Sequence, residues 1–464
     1  MKVDASIFKA YDIRGVVDQA LREDAVRAVG RVLGTMAHDA DVKRFCVGKD
    51  GRLTGERLQN ALVEGIASTG MDVLDVGAVP TPVLYYATKH FDCGTGVAVT
   101  GSHNPPEYNG LKMMVAGVTL FADQIQGIRE RIEQEDWYVA EKPGRIEHVD
   151  AVAPYVQKAL EGVRLFRQLK VAVDASNGIV GPTMLRILSK LDVEVVPLYC
   201  DVDGHFLNHH PDPSKPKNLE ALIDEVEEVG ADYGFAHDGD RLGVVTNAGE
   251  VIYPDRLMML FTEDNLRTHP GAQIIYDVKC SRKLVDWVRA KDGEPVISPT
   301  GHSLVKAKLR ETAAPFAGEM SGHLFFNDER LTGFDDGLYS AVRLLEILSR
   351  SESPLTVLQR TSQRREYAGN PDPDGRRREQ GVHRRVPEGM SFSRCGIRHH
   401  DRWGSCRVEG QVCARTRFQY DARAGHTFRR RHEGIARTHP AMLHCRDASR
   451  RPGFEDPIMK RRKP

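Results

Sequence analysis

The amino-acid sequence predicts an α/β protein. The first observation that supports this prediction is the alternation of strands and helices along the chain. Short apolar strands at residues 45–48, 71–74 and 96–99 alternate with an amphipathic helix at 57–67. Glycine at position 70 follows that helix and favours its end. Because strand–helix–strand units build parallel sheets with helices on both faces, we expect layered α/β domains.

A second observation is that strands ending in aspartate recur roughly every hundred residues. Three apolar runs lead into Asp50, Asp174 and Asp277. Recurrence at a fixed interval is typical of repeated structural units, so we expect three similar α/β domains. We place their bounds at residues 1–150, 151–250 and 251–360, followed by a C-terminal region at 361–464.

The composition is that of a globular protein, since 41% of the 464 residues are apolar and 28% are charged. No apolar run reaches roughly 18 residues, and the N-terminus does not resemble a signal peptide, so we expect no membrane association. Eight scattered cysteines without a C-x-x-C pair argue against a disulfide framework or a zinc site. We therefore expect a cytoplasmic protein, and we expect a monomer.

The C-terminal region differs in charge from the rest. Residues 361–464 hold 25 Lys and Arg against 12 Asp and Glu, whereas the preceding residues hold 40 basic and 53 acidic side chains. The region shows no sustained helix or strand period, so we expect it to be disordered. A basic arm for nucleic acid is an alternative, but interleaved acidic residues and the lack of a binding motif argue against it.

The most specific stretch is the string Thr-Gly-Ser-His-Asn-Pro-Pro-Glu-Tyr-Asn-Gly-Leu-Lys at residues 100–112. It follows a predicted buried strand, at the sheet edge where α/β proteins bind ligands. A hydroxyl held like that of Ser102, with His103 beside it, can carry a phosphoryl group. Lys112 can neutralise phosphoryl charge or move a proton.

This string resembles the phosphoserine loop of the α-D-phosphohexomutases, and its Pro-Pro form resembles their bacterial phosphomannomutase/phosphoglucomutase branch. The resemblance continues in order through about the first 350 residues. Further family-like strings stand at residues 8–15, 75–82, 300–303 and 318–323. The resemblance implies three mixed-sheet α/β domains around a central cleft, with a smaller fourth domain after them.

The implied reaction is a reversible phosphoryl transfer within one hexose. A phosphoserine at Ser102 would phosphorylate a hexose 1- or 6-phosphate, and the resulting hexose 1,6-bisphosphate would return its other phosphate to the serine. Glu319, Ser321 and His323 would bind the sugar hydroxyls, and Met320 favours mannose and glucose phosphates over amino-sugar phosphates. Further cleft residues implied by the resemblance are Tyr11, Arg14, Arg241, Lys279 and His302.

The expected metal site is the string Ala-His-Asp-Gly-Asp-Arg at residues 236–241. Alternate aspartates can converge on Mg²⁺, which prefers oxygen ligands in octahedral array, and we expect Ser102, Asp238 and Asp240 as ligands. The family pattern, Asp-Gly-Asp-x-Asp-Arg, has three aspartates, so one Gly-Asp unit is missing here. Because Mg²⁺ tolerates poor geometry badly, we expect lowered Mg²⁺ affinity and turnover.

The C-terminal region lacks the family's phosphate-binding string, Arg-x-Ser-Asn-Thr-x-Pro. Back-translation in one shifted frame gives three family-like strings in order, from residues 368–374, 400–405 and 417–422. We interpret the region as translated out of frame from near residue 361. The fourth domain is then not expected to form.

Two other functions stay open on the sequence. One is a degenerate mutase without catalysis, which at most binds sugar phosphates. The other is a slow sugar-phosphate phosphatase, because a cleft that cannot hold the bisphosphate would lose the phosphate of Ser102 to water. Phosphate on Ser102 tests the first, and the ratio of phosphate release to isomer formation tests the second.

Overall fold

The computed structural model describes residues 1–350 and four short strands beyond them. Residues 1–350 contain three mixed β-sheets with helices packed on them, which confirms the predicted fold class of three similar α/β domains. Among the described helices, none combines the length and the apolar character that crossing a membrane requires.

The first sheet has seven strands in the order β1-β5-β4-β2-β3-β7, with β6 paired to β5. The strands are β1 (Ile13–Val16), β2 (Arg44–Lys49), β3 (Asp72–Ala78), β4 (Gly96–Val99), β5 (Tyr108–Val115), β6 (Val118–Thr119) and β7 (Ile146–His148). The helices of this part are α1 (Glu23–Asp39), α2 (Gly55–Ala67), α3 (Thr81–His90) and α4 (Asp123–Gln134). The predicted strands and helix correspond to β2, β3, β4 and α2.

The second and third sheets have five strands each. The second comprises β8 (Leu169–Asp174), β9 (Val193–Leu198), β10 (Tyr233–His237), β11 (Leu242–Thr246) and β12 (Val251–Ile252), with helices α5 (Val152–Ala159), α6 (Val180–Leu188) and α7 (Glu220–Val229). The third comprises β13 (Gln273–Asp277), β14 (Glu294–Ser298), β15 (Phe316–Gly318), β16 (Leu324–Asn327) and β17 (Thr332–Asp335), with helices α8 (Pro254–Thr268), α9 (Arg282–Ala290), α10 (His302–Thr312) and α11 (Gly337–Ser349).

All three sheets share one strand plan. A central strand (β2, β8 or β13) pairs in parallel with two neighbours, and one neighbour (β4, β10 or β15) continues into antiparallel strands. The recurring residues Asp50, Asp174 and Asp277 follow or end the central strands. The loops after β4, β10 and β15 therefore occupy equivalent edges of their sheets, and these loops carry the strings that the sequence singles out.

An apolar cluster runs through all three domains. Its largest buried side chains include Tyr85, Tyr155, Tyr233, Phe316 and Tyr339, each at most 1% exposed. Aromatic rings of this size dominate the apolar area that a core removes from water. The cluster therefore holds the three sheets together as one compact unit.

The start of α11 fixes the loop after β10. Asp336 caps this helix by accepting a hydrogen bond from the Tyr339 N–H (2.9 Å). The Gly337 N–H donates to the Gly239 carbonyl (3.2 Å). A Cβ added at Gly337 would lie 2.4 Å from the Arg241 carbonyl oxygen, so only glycine permits this approach.

We expect Gly337→Ala to destabilise the protein by about 1–3 kcal/mol, because the added methyl group forces the two backbones apart. Gly127→Ala is the matched control: Gly127 lies inside α4, and an added Cβ would meet no atom within 4 Å. That substitution should stabilise the protein by roughly 0.5–1 kcal/mol, because alanine favours the helix. Urea denaturation measures both changes, and equal shifts in one direction would contradict the packing argument.

Beyond residue 350 the structure describes two antiparallel pairs of strands. β18 (Cys406–Val408) pairs with β19 (Gln411–Cys413), and β20 (Arg417–Tyr420) pairs with β21 (Phe428–Arg431). The expectation of an out-of-frame, disordered C-terminal region without a fourth domain falls mainly on residues outside the described part. It stays a prediction.

Candidate active site

Ser102 lies in the serine loop (residues 100–107), which joins β4 to β5. Its backbone is left-handed, with φ of 51°, a conformation that non-glycine residues adopt only when their surroundings impose it. The Ser102 N–H donates to the Thr100 hydroxyl (2.9 Å), and the Ser102 Oγ lies 3.3 Å from His103 Nδ1. The serine hydroxyl is thus presented beside an imidazole at the carboxyl edge of the first sheet.

The imidazole of His103 is neutral near pH 7. Burial, together with the smaller effect of the Arg241 guanidinium, lowers its pKa to about 4. A neutral ring can exchange a proton with the nearby serine oxygen, whereas it adds no positive charge to the site.

Lys112, on β5, forms a buried ion pair with Asp240 of the second domain. Burial lowers the pKa of Lys112, but the carboxylates of Asp240 and Asp335, with Tyr85, shift it above its ordinary value. Lys112 is therefore held protonated and supplies positive charge; as a proton donor it would first have to break its contact with Asp240.

The metal loop (residues 238–241) connects β10 to β11. Asp238 accepts hydrogen bonds from the Arg241 N–H (3.0 Å) and the Arg241 Nε (2.6 Å). The Arg241 Nη1 also donates to Asp212 (3.0 Å). Burial raises the pKa of Asp238 to about 7. Arg241 thus holds Asp238 within the loop itself.

The sugar loop (residues 319–323) follows β15. Glu319 accepts a hydrogen bond from the Gly301 N–H (2.5 Å), and Ser321 Oγ lies 2.7 Å from His323 Nδ1. Burial raises the pKa of Glu319 to about 7 and lowers that of His323 to about 4. A carboxylate, a hydroxyl and a neutral imidazole are the groups that recognition of sugar hydroxyls requires.

The metal and sugar loops meet. Arg241 and His323 form an antiparallel bridge, and the Leu242 N–H donates to the Gly322 carbonyl (3.3 Å). The His323 Nε2 lies 3.8 Å from an Asp240 oxygen. Side chains of all three domains therefore converge at Asp240, which touches Lys112 on one side and faces His323 on the other.

One group in the described part of the chain has the geometry to hold a metal ion. Asp240, His323 and Asp335 each offer one ligand atom, and these atoms lie within 4.8 Å of one another. The second oxygen of Asp335 accepts a hydrogen bond from Lys306 (2.9 Å). Asp335 and Lys306 were not predicted from the sequence, although Asp335 ends a strand immediately before a helix, which is a recognisable signal. Asp238 is not part of this group.

The four remaining residues predicted to line the cleft have different neighbours. The Tyr11 hydroxyl donates to the Thr300 carbonyl (3.4 Å), and its ring centroid lies 6.3 Å from that of His302. His302 stacks on His323, with ring centroids 5.7 Å apart. Arg14 Nε donates to Asp12 (3.1 Å), and Lys279 lies in the exposed turn after β13. His302 thus contacts the sugar loop and Tyr11 lies beside His302, whereas Arg14 and Lys279 lie in other surroundings.

Comparison with known proteins gives the family. The three α/β/α domain models of the phosphoglucomutase/phosphomannomutase family, I, II and III, match residues 5–139, 147–249 and 253–364. The chain therefore belongs to this family, the α-D-phosphohexomutases, and to its bacterial phosphomannomutase/phosphoglucomutase branch. The resemblance inferred from the sequence is confirmed.

Individual relatives are identical to this chain at about half of the aligned positions. A Pseudomonas aeruginosa phosphomannomutase/phosphoglucomutase is 51% identical over 350 residues, covering 75% of each chain. A Neisseria meningitidis phosphoglucomutase is 47% identical over 354 residues, covering 76% of this chain and 77% of the relative. The crystal structure of a Burkholderia thailandensis family member superposes with a TM-score of 0.75 and 48% identity, covering 78% of this chain and 81% of that one.

Proposed function

We propose that this protein interconverts hexose 1-phosphates and hexose 6-phosphates, with mannose and glucose as the sugars. The observation that carries the proposal is the convergence of Lys112 on β5, the metal loop and the sugar loop at Asp240, in a chain 51% identical to a phosphomannomutase/phosphoglucomutase. Ser102 is the phosphoryl carrier, and hexose 1,6-bisphosphate is the intermediate. Small hexose phosphates are the partners.

In the proposed phosphoryl transfer, Ser102, His103 and Lys112 have different roles. In the first step, a sugar hydroxyl oxygen bonds to phosphorus while the bond between phosphorus and Ser102 Oγ breaks. The hydroxyl proton leaves the sugar, and Ser102 Oγ takes up a proton, for which His103 is the nearby relay at 3.3 Å. Lys112, held protonated by Asp240, balances the charge of the transferring group.

The sugar loop recognises the hexose ring in the proposed reaction. Glu319 and Ser321 bind the ring hydroxyls, and the neutral His323 accepts or donates a hydrogen bond beside them. Because the bisphosphate must turn over before its second phosphate returns to Ser102, groups that accept and donate in both orientations suit this position. His302 stacks on His323 of this loop, and Tyr11 lies beside His302.

Mg²⁺ is the cation that the family resemblance implies. Its predicted ligands Ser102, Asp238 and Asp240 do not fit the ion as they stand, since Arg241 engages both oxygens of Asp238 and Lys112 engages one oxygen of Asp240. Mg²⁺ demands near-octahedral oxygen ligands, so we expect this arrangement to bind it weakly.

The test is to incubate the protein with glucose 1,6-bisphosphate and measure phosphate on Ser102 by tandem mass spectrometry. Glucose 1-phosphate is then added, and glucose 6-phosphate and free phosphate are measured together. Ser102→Ala, which removes the carrier oxygen, is the control and should give neither product. Isomer formation in excess of phosphate release supports the mutase, whereas phosphate release alone supports the phosphatase. An unphosphorylated Ser102 in the parent protein would overturn the proposal.

A further inference from the structure

Arg52 lies under the serine loop and bonds to its backbone. It follows β2, and its side chain is fully buried. The guanidinium donates to four carbonyl groups, at distances of 2.6 to 3.0 Å. These carbonyls belong to Ser102, Asn104, Pro105 and Tyr108. One side chain therefore ties together the whole span between the end of β4 and the start of β5.

Asp50 completes this arrangement from the other side. It accepts hydrogen bonds from the Arg52 Nε (3.2 Å) and N–H (3.0 Å). It also accepts hydrogen bonds from the Thr100 hydroxyl (2.7 Å) and the Gly101 N–H (3.2 Å). Since the Thr100 oxygen in turn accepts the Ser102 N–H, both backbone polar groups of Ser102 are held by this network.

The guanidinium packs flat against the loop. A Cβ added at Gly101 would lie 2.5 Å from both Arg52 Cζ and Arg52 Nε, so the absence of a side chain at Gly101 permits the approach. The ring of Phe206 from the second domain also covers Arg52, with 5.1 Å between Cζ and the ring centroid. Arg52 is thus enclosed by the loop that it holds and by a neighbouring domain.

We propose that Arg52 is the positioning residue for Ser102. A left-handed backbone at a non-glycine residue persists only where its surroundings impose it, and the Arg52 hydrogen bonds supply that constraint. Lysine cannot replace it, because an ammonium group has three donors without the planar fork that reaches several carbonyls at once. The inference rests on the proposed function, because it concerns the orientation of the phosphoryl-carrying oxygen.

Amide hydrogen exchange tests the positioning role without requiring catalysis. Arg52→Lys should raise exchange in the serine loop at least tenfold, while exchange in the second and third sheets stays unchanged. Arg57→Lys is the matched control: Arg57 lies five residues further along, on α2, and pairs at the surface with Asp18 and Glu23. It should leave the loop unchanged. Unaltered exchange of the loop in a folded Arg52→Lys protein would overturn the inference.

The rate of Ser102 phosphorylation by glucose 1,6-bisphosphate is the second readout. Since a displacement of about 1 Å at a reacting group can cost 10²-fold, we expect Arg52→Lys to slow phosphorylation by about that factor at unchanged affinity for the bisphosphate. In Gly101→Ala the added methyl group would push the Arg52 guanidinium away from the loop, so this variant should also slow phosphorylation of Ser102. It replaces Arg52→Lys in the test if Arg52→Lys does not fold. A parent that is never phosphorylated counts against the proposed function, whereas loop exchange still decides the role of Arg52.

Discussion

Insertion of an Asp-Gly pair between Gly239 and Asp240 is expected to raise Mg²⁺ affinity by at least about 100-fold. The insertion restores the family's three-aspartate pattern, and it adds a carboxylate that Arg241 does not already engage. Mg²⁺ binding depends steeply on the number and placement of oxygen ligands. The rate of Ser102 phosphorylation should rise by a similar factor, since a Mg²⁺ ion held by three aspartates would supply positive charge for phosphoryl transfer.

The control is an Asn-Gly insertion at the same place, which restores the length of the loop without the charge. Isothermal titration with Mg²⁺ measures affinity in both proteins, and mass spectrometry follows phosphate on Ser102. A gain with Asp-Gly alone assigns the defect to the missing carboxylate. Equal gains with both insertions would show that length is the deficiency, and no gain with either would contradict the expectation.

Replacement of Lys112 by methionine is expected to cost about 3–5 kcal/mol of stability, because it leaves the Asp240 carboxylate buried and without its ammonium partner. Both side chains of this pair are nearly inaccessible, at 6% and 4% exposure. The double variant Lys112→Met/Asp240→Leu should recover most of the loss, since replacing both charges with apolar groups is often close to neutral.

The surface pair Lys43 and Asp41, with side chains 80% and 89% exposed, provides the comparison. Lys43→Met should leave the urea midpoint unchanged within error, because water screens this pair almost completely. If Lys112→Met behaved like Lys43→Met, the buried pair would not be a structural requirement. If the double variant were as unstable as the single one, the loss would come from packing rather than from an unpaired charge.

Much of the fold could be predicted from local patterns. The buried strands β2, β3 and β4 are short apolar runs, and α2 has apolar residues at helical spacing, so each carries its own signal. The strand β7 could not be found this way. It has three exposed residues, and it is a strand only because β3 offers it a pairing edge.

The candidate site likewise has residues that the sequence predicts and contacts that it does not. Ser102 and Lys112 belong to one recognisable string, and the family resemblance extends to Glu319, Ser321 and His323. The hydrogen bond from Arg241 to Asp238 could not be predicted from the sequence, because it depends on the conformation of a four-residue loop. The approach of Asp335 and His323 to Asp240 depends on how the third domain packs against the second, which no local pattern encodes.

The ladder between β10 and β11 runs without interruption from Tyr233 opposite Thr246 to His237 opposite Leu242. The predicted loss of two residues, relative to the family pattern, would therefore fall at the tip of a hairpin, where it changes the face of no side chain in the sheet. The serine, metal and sugar loops each connect two antiparallel strands in this way. The architecture would thus accept changes in loop length at the tips of its hairpins without disturbing the sheets that carry the loops.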